Sequence, residues 1–376
     1  MNSFSQFNLL SSLQASLKEM KFKEPTEIQN RAVPALLSGK SIVGVSETGS
    51  GKTLAYALPL LHTLKKLEND GDPVKNERHP RAVVVVPTRE LGEQVSKVFK
   101  PFTHTTRLRV RTVLGGTALD VAKRNVSGAF EILVATPGRL VQLIEMSLVN
   151  LGDVRFLIFD EADQMLDQSF MSDAMAIEEQ CPNECHKGLF SATVSPVVQD
   201  LINKLFSEAE VLRSSGSQKL VPTLKTINKT VVDGKRFPVM QKILSEKVQG
   251  GTLIFTNTRQ QCDSLAEQLK NSGYKCLIYR GEMDKVERRT NLKAFREGKV
   301  ELLVATDLGS RGLDIEHVSR VINYHLPKEM ENYLHRAGRT ARAGRTGLVI
   351  NFVTERDASI MKKIETIRSN GGKRTS

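Results

Sequence analysis

Ser41-Ile42-Val43-Gly44-Val45-Ser46-Glu47-Thr48-Gly49-Ser50-Gly51-Lys52-Thr53 is the stretch from which the fold can be read. Its apolar, β-branched opening over 41–46 predicts a strand. A glycine-rich loop follows, then a helical pattern, and that order is the context in which such a loop binds phosphate. Gly49 and Gly51 let backbone N–H groups wrap phosphate oxygens with no Cβ in the way. Lys52 can reach the β and γ phosphates, and the Thr53 hydroxyl can ligate Mg²⁺. Ser46, Glu47, Thr48 and Ser50 complete the loop. The strict pattern opens on Gly where this chain has Ser46, and a small residue still fits. The plain alternative is a glycine-rich turn opening an ordinary helix.

Working outward, short apolar runs alternate with longer amphipathic stretches. Strands are predicted at Ser41–Ser46, Ala82–Pro87, Val110–Leu114, Glu131–Ala135, Phe156–Asp160 and Gly188–Ser191. A second series falls at Thr226–Val232, Thr252–Thr256, Lys275–Tyr279, Glu301–Thr306, Arg320–Tyr324 and Leu348–Val353. Near-continuous hydrophobic runs such as Ala82-Val83-Val84-Val85-Val86 suit sheets buried on both faces. Strands alternating with helices make βαβ units and parallel sheets. Between the two series the Ser/Gly-rich Leu212–Lys219 reads as a flexible linker. The expected division is an ATP-binding domain over 1–212, a linker over 213–220 and a C-terminal domain over 221–376. The last residues, from Ser369, read as a frayed tail.

A nucleotide site also needs a metal carboxylate at the end of a neighbouring strand. Phe156-Leu157-Ile158-Phe159 supplies one by ending in Asp160-Glu161. Asp160 is placed to hold Mg²⁺ through water, and Glu161 to orient and deprotonate the attacking water. An acid pair after a strand is otherwise a common helix N-cap.

Composition narrows the partners. The chain has 376 residues, 40% of them hydrophobic, enough for two cores. No run of eighteen apolar residues and no signal-peptide pattern occurs, so a cytoplasmic location without membrane association is expected. Cys181, Cys185 and His186 could suggest zinc, but Cys262 and Cys276 lie far off in helix and strand patterns, and reduced structural thiols are the simpler reading. The net charge of +12 is uneven. Residues 1–212 carry 23 Lys+Arg against 25 Asp+Glu; residues 213–376 carry 31 against 17. A basic excess confined to one half favours a polyanion, most often nucleic acid, over a plain solvated surface.

At Asp160-Glu161-Ala162-Asp163 the sequence resembles the DEAD-box ATP-dependent RNA helicases, and the resemblance spans nearly the whole chain in order. It implies two tandem RecA-like domains, each a mostly parallel sheet flanked by helices. Phe4 with Lys21–Gln29 resembles the adenine-reading Q motif, which implies that Gln29 reads the base edge and Phe4 stacks on it, with Phe22 beside them. Pro87–Leu91, Gly115-Gly116 and Thr136–Arg139 resemble the first domain's RNA-backbone motifs and imply contacts from Thr88, Arg89, Gly115, Gly116, Thr136 and Arg139. Ser191-Ala192-Thr193 resembles the motif coupling ATP state to RNA grip, in which Asp163 and His335 also take part. In the second half Ile254–Thr258, Thr306–Asp314 and His335–Arg342 resemble the fourth to sixth motifs. They imply RNA contacts from Arg288 and Thr306, a ribose contact from Asp314, and arginine fingers Arg339 and Arg342. The chain departs from the family pattern at Lys21 (Gly), Ser46-Glu47 (Ala-Gln), Arg280 (His), Lys285 (Gln), His325 (Asp) and Ala341 (Gly).

The resemblance implies an RNA-dependent ATPase with ATP and Mg²⁺ as cofactors, acting as a monomer on single-stranded or short duplex RNA. Such families work in ribosome assembly, RNA decay or translation, and the chain reads as a bare core with no appended RNA-binding module. Residue chemistry supports the same mechanism: Lys52, Thr53, Asp160 and Glu161 lie in one half and Arg336, Arg339 and Arg342 in the other. A supplied arginine is worth about 10³–10⁵ in phosphoryl-transfer rate. Hydrolysis would then require the halves to close. For Arg89, Arg139 and Arg288 a plain surface cation is the alternative, and for Arg336–Arg342 a solvated basic face. Contacts through Thr and Gly suit sugar-phosphate rather than bases, and 5% aromatics with no Trp make base stacking a minor grip. An ATP-gated RNA clamp that does little unwinding, and a DNA-directed translocase, remain as alternative functions.

Overall fold

The structure, a computed structural model, describes residues 3–47, 49–165, 168–214, 224–246, 248–281, 283–307, 317–340 and 346–371. Thr48, Asp314, Arg342 and residues 215–220 of the expected linker lie outside the described residues. The chain divides into two compact units, Met1–Ser217 and Gln218–Ser376.

Unit 1 opens with a 3₁₀ turn, Phe4–Phe7, and helices α1 (Ser11–Glu19) and α2 (Glu27–Leu37). Then follow β1 (Ile42–Val45), α3 (Lys52–Asn69), β2 (Ala82–Val85), α4 (Arg89–Thr106), β3 (Val110–Val113), α5 (Leu119–Asn125), β4 (Ile132–Ala135) and α6 (Pro137–Glu145). The unit ends with β5 (Phe156–Asp160), α7 (Gln168–Glu178), β6 (His186–Ser191), α8 (Pro196–Leu205) and β7 (Glu210–Arg213). The seven strands form one parallel sheet in the order β3-β4-β2-β5-β6-β1-β7. Strands β1, β2, β4 and β5 are buried along their whole length because helices cover both faces. Two apolar layers result, one built on Val84, Ile158 and Phe190, the other on Val83, Leu157 and Phe159. Each such side chain contributes about 2 kcal/mol on leaving water.

Unit 2 contains β8 (Leu224–Thr230), α9 (Arg236–Leu244), β9 (Gly251–Thr256), α10 (Arg259–Asn271), β10 (Cys276–Tyr279), α11 (Lys285–Arg296), β11 (Leu302–Thr306), β12 (Val318–Asn323), α12 (Met330–Ala337), β13 (Gly347–Val353) and α13 (Ala358–Gly371). Its six strands are parallel in the order β10-β11-β9-β12-β13-β8. The expected α/β class and the two parallel sheets are therefore present. Among the described residues no helix is long and apolar enough to cross a membrane.

Two differences from the sequence reading stand out. Leu212 and Arg213, read as the linker's first residues, instead close the edge strand β7, where Leu212 is buried against the core. The other is Arg336, which lies in the last turn of α12 rather than on a solvated face: that helix ends at Ala337, and Gly338 caps it by donating to Leu334 O. Gly338 shifts the hydrogen bonding there to short i→i+3 turns, which is how many helices end.

Arg320, on β12, is only 3% exposed. Its guanidinium donates to the carbonyls of Ile243 and Glu246, at 3.0 and 3.1 Å, and to Thr252 Oγ1 at 3.1 Å. It thereby caps the last turn of α9 from inside the sheet. Arg320→Met keeps the aliphatic bulk but strands those carbonyls, and it is expected to cost unit 2 about 2–3 kcal/mol. Urea unfolding within ~0.5 kcal/mol of the unsubstituted chain would refute this role.

Candidate ATP and RNA site

In unit 1 the loop after β1 wraps the α3 N-terminus, where backbone N–H groups lack intrahelical partners. Gly49 and Gly51 have φ of +85° and +87°, a region that costs a side-chain-bearing residue about 1–2 kcal/mol. Lys52, 5% exposed, folds its ammonium back over the loop and donates to Ser46 O at 2.8 Å and Glu47 O at 3.1 Å. The same ammonium lies 3.3 Å from Glu161 Oε1. Ser46 is fully buried, and its hydroxyl accepts a bond from Ser214 Oγ at 2.8 Å. Burial raises the Glu47 carboxyl, partly offset by Lys52. Ser50 Oγ donates to Glu47 O and closes the turn.

Asp160 and Glu161 follow at the carboxyl end of β5. Asp160, 1% exposed, accepts from Tyr56 Oη at 2.8 Å and from Glu161 N at 2.9 Å. Burial first, then the Glu161 charge, pushes its carboxyl up to about 7. Thr53 stands three residues before Tyr56, in the first turn of α3. Glu161 has φ +54°, a strained setting for a residue with a side chain. The turn aims its carboxylate at Lys52 on one side and at Gln164 Nε2, 2.6 Å away, on the other. Asp163 Oδ2 accepts from Ala192 N, Thr193 N and Thr193 Oγ1 at 3.1, 2.8 and 3.0 Å. Asp163 N donates to Ser191 Oγ, so the acidic turn and Ser191–Thr193 move as one piece.

The donor set suits magnesium: Asp160 and Thr53 are hard oxygen ligands, and the raised Asp160 carboxyl marks an anion short of positive charge. Lys52, turned onto its own loop carbonyls, is the donor a phosphate would take over.

Adenine-side residues differ from the reading in detail. Phe4 is 3% exposed and packs behind Phe22, which is 47% exposed, with ring centroids 6.4 Å apart. The free ring face in this pair is Phe22's. Both line a groove of about 610 Å³ edged by Lys18, Lys21 and Lys23. Lys21 stands where the family has glycine and carries φ +59°, which explains that preference. The Gln29 carbonyl accepts from Thr26 N at 2.9 Å and its amide donates to Gly51 O at 3.0 Å. Gln29 therefore ties α2 directly to the phosphate loop. A Cβ at Gly51 would meet Gln29 Nε2 at 2.3 Å, so a side chain there, already strained by φ +87°, would displace the Gln29 amide.

The backbone-contact candidates of unit 1 gather after β2, β3 and β4. Thr88 caps α4 through Leu91 N, and Arg89 beside it pairs with Glu93 at 2.9 Å. Gly115 N donates to Thr136 Oγ1 at 2.8 Å, Gly116 has φ +78°, and Arg139 donates to Thr117 O at 2.9 Å. Strand order thus sorts the motifs: the candidate nucleotide residues on β5-β6-β1, these candidates on β3-β4-β2.

In unit 2 Arg288 lies 5.0 Å over the Tyr279 ring, and Thr306 is buried at the end of β11. Arg339 Nε donates to the carbonyl of His335, itself buried at the end of α12. The residue that the sequence reading undervalued is Arg336, 1% exposed rather than on a solvated face. It clasps Asp307 at 2.6 and 2.7 Å and donates to Asn257 Oδ1, Asn323 Oδ1 and His325 O, with Phe255 beneath it. Its sequence signal was its place in His335–Arg342, the run that resembles the family's sixth motif. At His325, where the family has Asp, burial and the cations Arg236 and Arg336 hold the imidazole down to about 4, so the ring is neutral. Arg280, replacing the family's His, pairs with Asp263 at 2.8 Å.

Residues 26–201 match the family model for DEAD/DEAH box helicases, and 235–344 match the helicase conserved C-terminal domain. The DEAD-box ATP-dependent RNA helicase CshA of Bacillus subtilis is 34% identical over 362 residues, spanning 96% of this chain and 72% of that protein. The chain belongs to the DEAD-box ATP-dependent RNA helicases. CshA of Geobacillus kaustophilus is 33% identical over 365 residues, covering 97% of this chain and 76% of the relative. Among solved structures, Saccharomyces cerevisiae Dbp5 bound to RNA and ADP BeF3 superposes with a TM-score of 0.85 at 28% identity, covering 98% of this chain and 93% of Dbp5. The two sheets are accordingly the tandem RecA-like domains of a DEAD-box helicase core.

Asp160 binds its proton more tightly folded than unfolded, so its contribution to stability is present near pH 4 and fades as pH climbs toward 7. Asp160→Asn has no proton to lose. In the nucleotide-free helicase its stability relative to wild type is expected to rise by an amount on the order of 2 kcal/mol from pH 5 to pH 8. An equal difference at both pH values, by urea unfolding, refutes the assignment.

Proposed function

We propose that this chain couples ATP hydrolysis to clamping RNA and to local unwinding of short duplexes. The observation that carries the reading is the buried convergence of Lys52 with Asp160 and Glu161 at the carboxyl ends of β1 and β5. Three charged groups so arranged, with few partners of their own, suit a triphosphate and its cation.

In this reading Phe22, backed by Phe4, takes the adenine ring, and Gln29 holds the loop in register with it. Lys52 leaves the Ser46 and Glu47 carbonyls for the β and γ phosphates. Thr53 and Asp160 hold magnesium, which when bound offsets charge on the phosphate oxygens. Glu161 orients the attacking water and takes its proton, a role for which its strained turn aims it. Asp163 passes any shift of the acidic turn to Ser191–Thr193. Thr88, Arg89, Gly115, Gly116, Thr136 and Arg139 grip the RNA backbone from unit 1, with Arg288 and Thr306 from unit 2. Arg339 and Arg342 complete the charge around the γ-phosphate, and Asp314 contacts the ribose, once ATP and RNA favour closure of the two units. The complex of Dbp5 with RNA and ADP BeF3 supports this placement by its similarity to the present chain. Backbone contacts make binding sequence-independent and salt-sensitive.

Glu161→Gln is expected to retain ATP and RNA while turnover falls by about 10²–10⁴. Phosphate release at the wild-type rate would remove Glu161 from this role. ATP hydrolysis is expected to rise with RNA and to respond weakly to single-stranded DNA, in the same assay that follows displacement of a short RNA duplex. Equal stimulation by DNA would point to a DNA-directed translocase. Stimulated hydrolysis with no strand displaced would leave a clamp alone.

A further inference from the structure

Asn228, Asn351 and Asn323 occupy one rung across three neighbouring strands of unit 2. In the parallel register Asn323 faces Asn351, and Asn351 faces Asn228. Asn323 and Asn351 are fully buried, while Asn228 lies at the exposed edge. Amides in an apolar sheet are costly unless every bond is made. Here they are made, and all run in one direction. Asn323 Nδ2 donates to Asn351 Oδ1 at 2.9 Å, and Asn351 Nδ2 donates to Asn228 Oδ1 at 2.9 Å and to Tyr333 Oη at 3.1 Å. That polarity leaves Asn323 Oδ1 turned toward Arg336, whose NH1 donates to it at 3.1 Å. A guanidinium can only donate, so an inverted Asn323 amide would set donor against donor.

We propose that this asparagine relay is a positioning device for RNA-stimulated ATP hydrolysis. Asn351 fixes the polarity of Asn323, Asn323 fixes Arg336, and Arg336 fixes the turn that carries Arg339. The proposal rests on the helicase reading above. Downstream of Arg336 the geometry is continuous: Arg339 N donates to Arg336 O at 3.1 Å, Thr340 N to Ala337 O at 3.2 Å, and Thr340 Oγ1 to Val318 O at 2.8 Å. Arg336 also clasps Asp307, which follows β11 directly. A sheet selected for stability alone would carry apolar side chains on this rung, because a well-packed apolar replacement of a buried polar network is often neutral or stabilising. The relay is retained for orientation.

The test compares Asn351→Leu with Asn351→Asp in the full chain, reading kcat and the ATP KM of RNA-stimulated hydrolysis together with thermal unfolding. Leucine removes the acceptor that anchors Asn323 Nδ2 and so loosens the hold of Asn323 Oδ1 on Arg336; kcat per folded molecule is expected to fall about tenfold with KM changed less than twofold, since the ATP loop is untouched. Aspartate keeps the needed acceptor: it takes the bond from Asn323 Nδ2, receives the Tyr333 O–H, and Asn228 turns its amide to donate. Its kcat is expected within about threefold of wild type. Should Asn351→Leu not fold, Asn323→Ser removes the reach to Arg336 without a new apolar branch and is expected to show the same selective loss of kcat. Wild-type kcat per folded molecule in the leucine or serine variant overturns the relay, as does an equal loss in Asn351→Asp. Absence of RNA stimulation in the unsubstituted chain defeats the helicase reading, and the relay with it.

Discussion

Burial of charge at the carboxyl ends of parallel strands is the constraint on which this molecule turns. Lys52, Asp160 and Glu161 sit out of water with only one another, a tyrosine, a glutamine and a few backbone groups for company. An arrangement of this kind is tolerated only where the surrounding sheet forces it. The seven-stranded sheet of unit 1 does so by burying its apolar strands on both faces and ending them abruptly in polar loops. Stability is thus concentrated in the sheet and chemistry at its rim, the usual division in doubly wound α/β domains.

Unit 2 meets the same problem with a different solution. Its buried cation, Arg336, is not held in reserve for a ligand but is satisfied in full by a carboxylate, two amides and a carbonyl. A guanidinium spends its donors in a fixed planar fork, so satisfying it also orients it. The contrast between the two units follows from that. Lys52 is a point charge held by two loop carbonyls and one carboxylate, whereas Arg336 is a rivet. At the departures from the family pattern, His325 keeps a neutral ring beside the rivet, and Lys21 accepts a left-handed backbone in the turn before Phe22.

Much of the candidate site was legible because its chemistry is local. Glycines 49 and 51, the lysine and threonine after them, and an apolar run ending in two acids are contiguous features whose spacing along the chain is their geometry in space. Strand positions were legible for the same reason, since β-branched runs bounded by turn residues mark themselves, to within a residue or two at each end. Edge strand β7 escaped because four residues with one buried side chain leave almost no periodic signal.

By itself, then, the sequence determined the class of both domains, the phosphate loop and the acidic turn, all written in residues a few positions apart. The tertiary structure alone decided which motifs share a side of the sheet, that Gln29 serves the phosphate loop, that Phe22 rather than Phe4 offers its ring face, and that Arg336 is buried. Gln29 meets its partner 22 residues along the chain, and Arg336 reaches one 79 residues away. Hydrogen bonds across such separations are set by which strands become neighbours, and local propensity carries no record of that choice.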